Sequence, residues 1–145
     1  MKPFEINHIS DSKNAGIARE HDLCAYYGIE RARHDSSSYA EDSDINYNNL
    51  HISVKASGFS LMSGNFCKGC KSFDEIWNLY ERTVHSNAFA YVTADYSVYL
   101  MDIKAFKEFI YKFAYLERES AKNGGGLKIR CRKESKKMID WLNAC

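Results

Sequence analysis

The chain has 145 residues, 45% of them apolar and 14% aromatic, with 20 Lys or Arg against 19 Asp or Glu for a net charge of +1. That length suits one domain, residues 1–145, with a sizeable core, and the aromatic content excludes an intrinsically disordered chain. No run approaches the ~20 apolar residues of a membrane span, "MKPFEINHIS" lacks a signal-peptide core, and five cysteines without an export signal argue against a disulfide framework, so the expected location is the cytoplasm.

The predicted elements, in chain order, begin with a helix over about 14–27, capped by Ser10, Asp11 or Ser12 and ended by Gly28. "IERARH" (29–34) is a short charged strand candidate, followed by a loop at 34–43 that carries the acidic run "AEDSD" (40–44). The stretch 44–56 alternates as two strands around Asn48-Asn49, a two-residue turn for which asparagine suits because it tolerates positive φ. "SFDEIWNLYERTV" (72–84) opens with a Ser-x-x-Glu capping box and spaces Ile76, Leu79 and Tyr80 for a buried helix face. "AFAYVTADYSVYLMD" (88–102) reads as a second hairpin turning near Ala94-Asp95. "IKAFKEFIYKFAYLERE" (103–119) is the clearest helix, with Phe106, Phe109, Ile110, Phe113 and Leu116 repeating at three and four. After the glycines at 124–126, "LKIRCR" alternates as a strand and "SKKMIDWLNA" closes the chain as a helix. The order predicts an α/β fold with one mixed central sheet flanked by helices.

Chemistry enters at the first hairpin. Alternation sends Ile45, Tyr47, Leu50, Ile52 and Val54 to one face and Asp44, Asn46, His51, Ser53 and Lys55 to the other. Asp44 then faces Ser53, with Lys55 one step beyond on the same side. A half-solvated antiparallel pair produces the same alternation with no function attached. Glu20 adds a second signal, because its helical neighbours Gly16, Ile17, Leu23 and Cys24 put it on an apolar stripe. An inward carboxylate is costly unless it is paired or bound to a cation.

A helix bearing Glu20, a strand starting Asp44-Ile45, and "ISVKAS" with Lys55 about ten residues later together resemble the PD-(D/E)XK, or restriction-endonuclease-like, nuclease superfamily. Within it the layout is most similar to Holliday-junction-resolvase-type and small restriction enzymes. The second acid of that pattern, two residues before the lysine, is Ser53 here. The resemblance implies a DNA endonuclease dependent on Mg²⁺ or Mn²⁺. On that resemblance the metal would be held by Glu20, Asp44 and the Val54 carbonyl, while Lys55 would orient water or stabilise charge on phosphorus beside Ser53. A homodimer would suit an enzyme that cuts two strands.

The segment 127–137 holds six Lys or Arg against one Glu, and "LKIRCR" sets Lys128, Arg130 and Arg132 on one face, a spacing able to track phosphates. Arg31 and Arg33 extend that basic surface. "CKGC" (67–70) is a lone C-x-x-C, which reads as a loop with two reduced thiols unless His51, His85 or Cys131 completes a zinc site. Three readings follow: a metal-dependent DNA endonuclease, a non-catalytic nucleic-acid-binding module of the same fold, and a protein-interaction domain using the tyrosine-rich hairpin 91–99.

Overall fold

The computed structural model describes residues 4–5, 45–47, 49–61, 69–95, 97–118 and 126–145. Ser72 starts the first described helix, α1 (Phe73–Thr83): its side chain accepts from the Glu75 backbone N–H, and Glu75 reaches back to the Lys71 N–H at 2.8 Å. Asp102 caps α2 (Ile103–Phe113) through Ala105 N–H at 2.7 Å, and Ser135 caps α3 (Lys136–Ala144) through Met138 N–H. Each cap satisfies an amide that the first helical turn leaves without a partner.

The strands are β1 (Phe4–Glu5), β2 (Ile45–Tyr47), β3 (Leu50–Ala56), β4 (Ser60–Leu61), β5 (Ala88–Val92), β6 (Ser97–Met101), β7 (Ala114–Arg118) and β8 (Leu127–Cys131). Five of them form a mixed sheet in the order β1-β6-β5-β3-β2, and three form a second sheet in the order β4-β8-β7. β3 and β5 run parallel, so the chain between them must cross over, and α1 lies on that crossover. The other pairings are antiparallel.

The hairpin register agrees with the sequence reading wherever it is described: Ile45 pairs with Ile52, Asn46 with His51 and Tyr47 with Leu50. Asn49 adopts φ 65°, the left-handed conformation that such a turn needs. Because β3 lies between β2 and β5, both of its edges are hydrogen-bonded. Ile52 joins Ala88, Ala90, Val92 and Val98 in one cluster, with Leu50 and Val54 against it. The opposite face of β5 sends Phe89 and Tyr91 into the main core with Trp77, Phe106 and Phe109. There the Phe89 and Phe106 rings stack at 4.2 Å and fasten α2 to the sheet.

Three expectations are corrected. The helix predicted over 103–119 stops at Phe113, and 114–118 is strand β7, which hydrogen-bonds along β8. Leu116, placed by the helical repeat on the buried stripe, is 39% exposed. The repeat of three and four persisted across Phe113 by coincidence with the period of two in "AYLER". "LKIRC" belongs to the second sheet, so the single central sheet is instead two sheets, and their pairing needs β7, which the helix reading had used up. In α1 the fully buried residues are Ile76, Trp77 and Tyr80, with Leu79 only partly covered. The helix predicted over 14–27 and the strand at 29–34 lie outside the described residues.

Candidate functional site

Strand β3 aims Ser53 and Lys55 at the main core, since their register partners in β5 are Phe89 and Tyr91. On that polar face Ser53 is buried and Lys55 partly buried, while His51 at the turn end is exposed. Ser53 is 6% exposed, and the Lys55 ammonium lies 5.9 Å from the centre of the Phe59 ring and 5.8 Å from that of Tyr80. Both rings present their electron-rich faces to the cation. A lysine so placed has its stem packed and its head aimed, which distinguishes it from a freely solvated one. Val54 points the other way, towards Ile52 and Ala90. Asn87 secures the turn end of the hairpin: its Oδ1 accepts from His51 N–H at 2.7 Å and its Nδ2 donates to Asn49 O at 3.1 Å. Glu20, Asp44, Arg31 and Arg33 lie outside the described residues, and with them the predicted opposition of Asp44 and Ser53.

At the far end of β3 the chain turns through Gly58, whose φ of +70° lies in the left-handed region that favours glycine. Phe59 N–H closes that turn on Ala56 O at 3.0 Å, and Cys131 N–H then donates to Phe59 O at 2.8 Å, joining the turn to the second sheet. The junction leaves a concavity of about 320 Å³ lined by Gly58, Tyr115, Arg130, Cys131, Arg132 and Lys133. Two of the three strand cations predicted to work together, Arg130 and Arg132, meet there, and Lys133 joins them. Lys128 does not line it; its register partner is Glu117, which interrupts the predicted row of cations. Arg130 Nη1 is 3.6 Å from Glu117 Oε2, a partly exposed ion pair of small energetic weight. The Arg132 guanidinium sits 4.6 Å above the Tyr115 ring, which fixes its plane at the rim.

Glu134 is the one acid in 127–137. Its carboxylate accepts from Ser57 Oγ at 2.5 Å, from Tyr91 Oη at 3.0 Å and from Ala94 N–H at 3.0 Å. The loop bearing Arg132 and Lys133 is thereby tied to the turn after β3, to β5 and to the β5–β6 turn. Burial, and after it the Glu134 charge, holds the Tyr91 hydroxyl protonated far above the usual tyrosine range. The same two causes push the Cys131 thiol up to about 12, so it is not a nucleophile. Sequence reasoning missed Tyr115, Lys133 and Glu134. The lone acid among six cations was the available signal, but only the tertiary structure shows which way it faces.

Among the described residues no three His, Cys, Asp or Glu side chains cluster as metal ligands. Of the residues expected to hold the cation, only Val54 is described, since Glu20 and Asp44 lie outside the described residues. Cys70 of the C-x-x-C is a half-buried free thiol, and Cys67 lies outside the described residues. No described helix is long and apolar enough to cross a membrane. Comparison with models of protein families, with curated proteins and with solved structures found no match.

Proposed function

We propose that this chain is a divalent-metal-dependent endonuclease that hydrolyses phosphodiester bonds in DNA. The observation that carries the reading is the cationic concavity of Arg130, Arg132 and Lys133 formed beside Gly58, three residues beyond Lys55 on the same run of chain. Phosphate-binding cations thus neighbour the strand whose lysine the resemblance assigns to chemistry. Lys55, held by the Phe59 and Tyr80 rings, offers a positive charge to the scissile phosphate or its attacking water. Mg²⁺ or Mn²⁺, when bound by Glu20, Asp44 and the Val54 carbonyl, supplies charge neutralisation and a more acidic water. Arg130, Arg132 and Lys133 position the flanking backbone. The fold class, α/β with two sheets, is compatible with a restriction-endonuclease-like core, and that finer assignment belongs to this proposal.

A second reading keeps the same surface in a protein that binds nucleic acid without cutting it. The burial of Ser53 favours it, because a neutral, covered hydroxyl occupies the position of the missing acid. Incubating circular DNA with the protein and Mg²⁺ or Mn²⁺ separates the two. Nicked product that disappears with chelator and in Asp44→Ala supports the nuclease; metal-independent binding without nicks supports the second reading.

A further inference from the structure

Outside the proposed catalytic strand, the concavity at the β7–β8 rim has features that a track for duplex phosphates does not require. It is a half-open concavity of about 320 Å³, near the lower end of the roughly 300–1,000 Å³ of small-ligand pockets and of a size to take one nucleotide. Arg130 and Lys133 both line its wall. Its rim holds a flat, exposed surface: the Arg132 guanidinium, backed by Tyr115 at 4.6 Å. Unpaired bases stack on aromatic rings and on guanidinium planes, whereas bases inside a duplex expose no face to stack. The local positive charge is only partly compensated, by the Glu117–Arg130 ion pair. Glu134 is committed to Ser57, Tyr91 and Ala94, and the first turn of α3 holds Lys136 and Lys137 with no acid, against the helix dipole.

We infer that this concavity binds one unpaired nucleotide, with its phosphate between Arg130 and Lys133 and its base stacked on Arg132 over Tyr115. The inference rests on the nucleic-acid reading and narrows it, making the substrate a nucleic acid with a single-stranded segment. Glu117 competes with that phosphate for Arg130 across 3.6 Å and weakens the site.

The test is fluorescence anisotropy in chelator, so that no cleavage occurs, with three labelled probes of equal length: a single strand, the same strand carrying abasic sites, and a blunt duplex. The wild type should bind the single strand at least tenfold more tightly than the duplex. Arg132→Lys keeps the charge and removes the stacking plane; it should lose roughly five- to tenfold on the single strand and nothing on the abasic strand, in line with stacking of a base. Glu117→Gln should tighten binding to both single-stranded probes. Equal affinity for single strand and duplex, or equal losses on base-bearing and abasic probes, overturns the inference. Binding with the stacking signature but no nicking with Mg²⁺ or Mn²⁺ overturns the nuclease reading alone. Nicking of duplex without that signature overturns the pocket alone, and no binding to any probe overturns both.

Discussion

The Glu134 carboxylate receives the buried Tyr91 hydroxyl at 3.0 Å across 43 residues of sequence, and so fastens a cationic loop to the interior strand of the larger sheet. Three donors converge on that one side chain, and Tyr91 is fully buried. Its removal orphans a hydroxyl that water cannot reach. The loop that presents Arg132 and Lys133 is therefore anchored to the larger sheet and its turns through these three hydrogen bonds.

Glu134→Ala should lower stability by about 2–3 kcal/mol, the range for losing hydrogen bonds to a charged acceptor and stranding a buried donor. Tyr91→Phe removes donor and hydroxyl together and should cost only about 1 kcal/mol. Urea denaturation of both variants checks the order. Equal costs would mean that Glu134 holds nothing through Tyr91.

Alkaline pH should destabilise the fold from the cysteine and tyrosine side. Cys131 has its folded value pushed up to about 12 from 9, and Tyr91 is raised from 10. Below the unfolded values both states keep these protons, and the stability is fully present. Between the unfolded and folded values only the unfolded chain releases them, so stability falls as pH rises above about 9. Denaturation midpoints at pH 8, 9.5 and 10.5 should decline, and Cys131→Ala should soften the first part of the decline. In the native protein at pH 8, Cys145, which is exposed, should react with a thiol reagent well before buried Cys131.

Much of the fold was legible because its signals are local. The capping box at Ser72–Glu75, the Asn-Asn turn and the alternation of "LKIRC" each depend on neighbours a few residues apart, and the structure agrees with all three. The end of α2 was not legible, since Leu116 satisfies both a helical repeat and a strand, and only pairing with β8 decides between them. The burial of Ser53 was not legible for the same reason: hydrophobic alternation shows that two faces differ, and packing against α1 and β5 decides whether the polar one is wet. The candidate site was legible as a set of cations and a lysine. Its pocket was not, because Gly58, Tyr115 and Lys133 come from three separate segments.

Ser53→Glu, the change that would supply the missing acid of the resemblance, should destabilise the protein. Position 53 is 6% exposed and faces Phe89 in the next strand, so a longer, charged side chain is overpacked and desolvated there. The expected loss is roughly 2–3 kcal/mol in the absence of metal. If a cation binds beside β3, millimolar Mg²⁺ should restore part of that loss in the variant, read as a rise in Tm larger than the wild type shows. Identical Mg²⁺ responses in the two proteins would argue against a cation site at this strand.

Reversing the charge at the rim tests the surface separately from the chemistry. Arg130→Glu should weaken nucleic-acid binding and lower the slope of log affinity against log salt by about one, as one phosphate contact is lost. The metal-dependent cleavage step, measured at saturating protein, should be preserved. An unchanged salt slope would remove Arg130 from the interface.

The most direct measurement is the single-turnover nicking rate of supercoiled DNA in Mg²⁺ or Mn²⁺ for the wild type and for Lys55→Met, with DNA affinity measured in parallel. Methionine keeps the packed stem between Phe59 and Tyr80 and deletes only the ammonium, so the variant should stay folded. The account predicts metal-dependent nicking by the wild type, a loss of at least a hundredfold in Lys55→Met, and binding within about threefold. Nicking at the same rate in both proteins, or no nicking by a wild type that binds DNA, would contradict it.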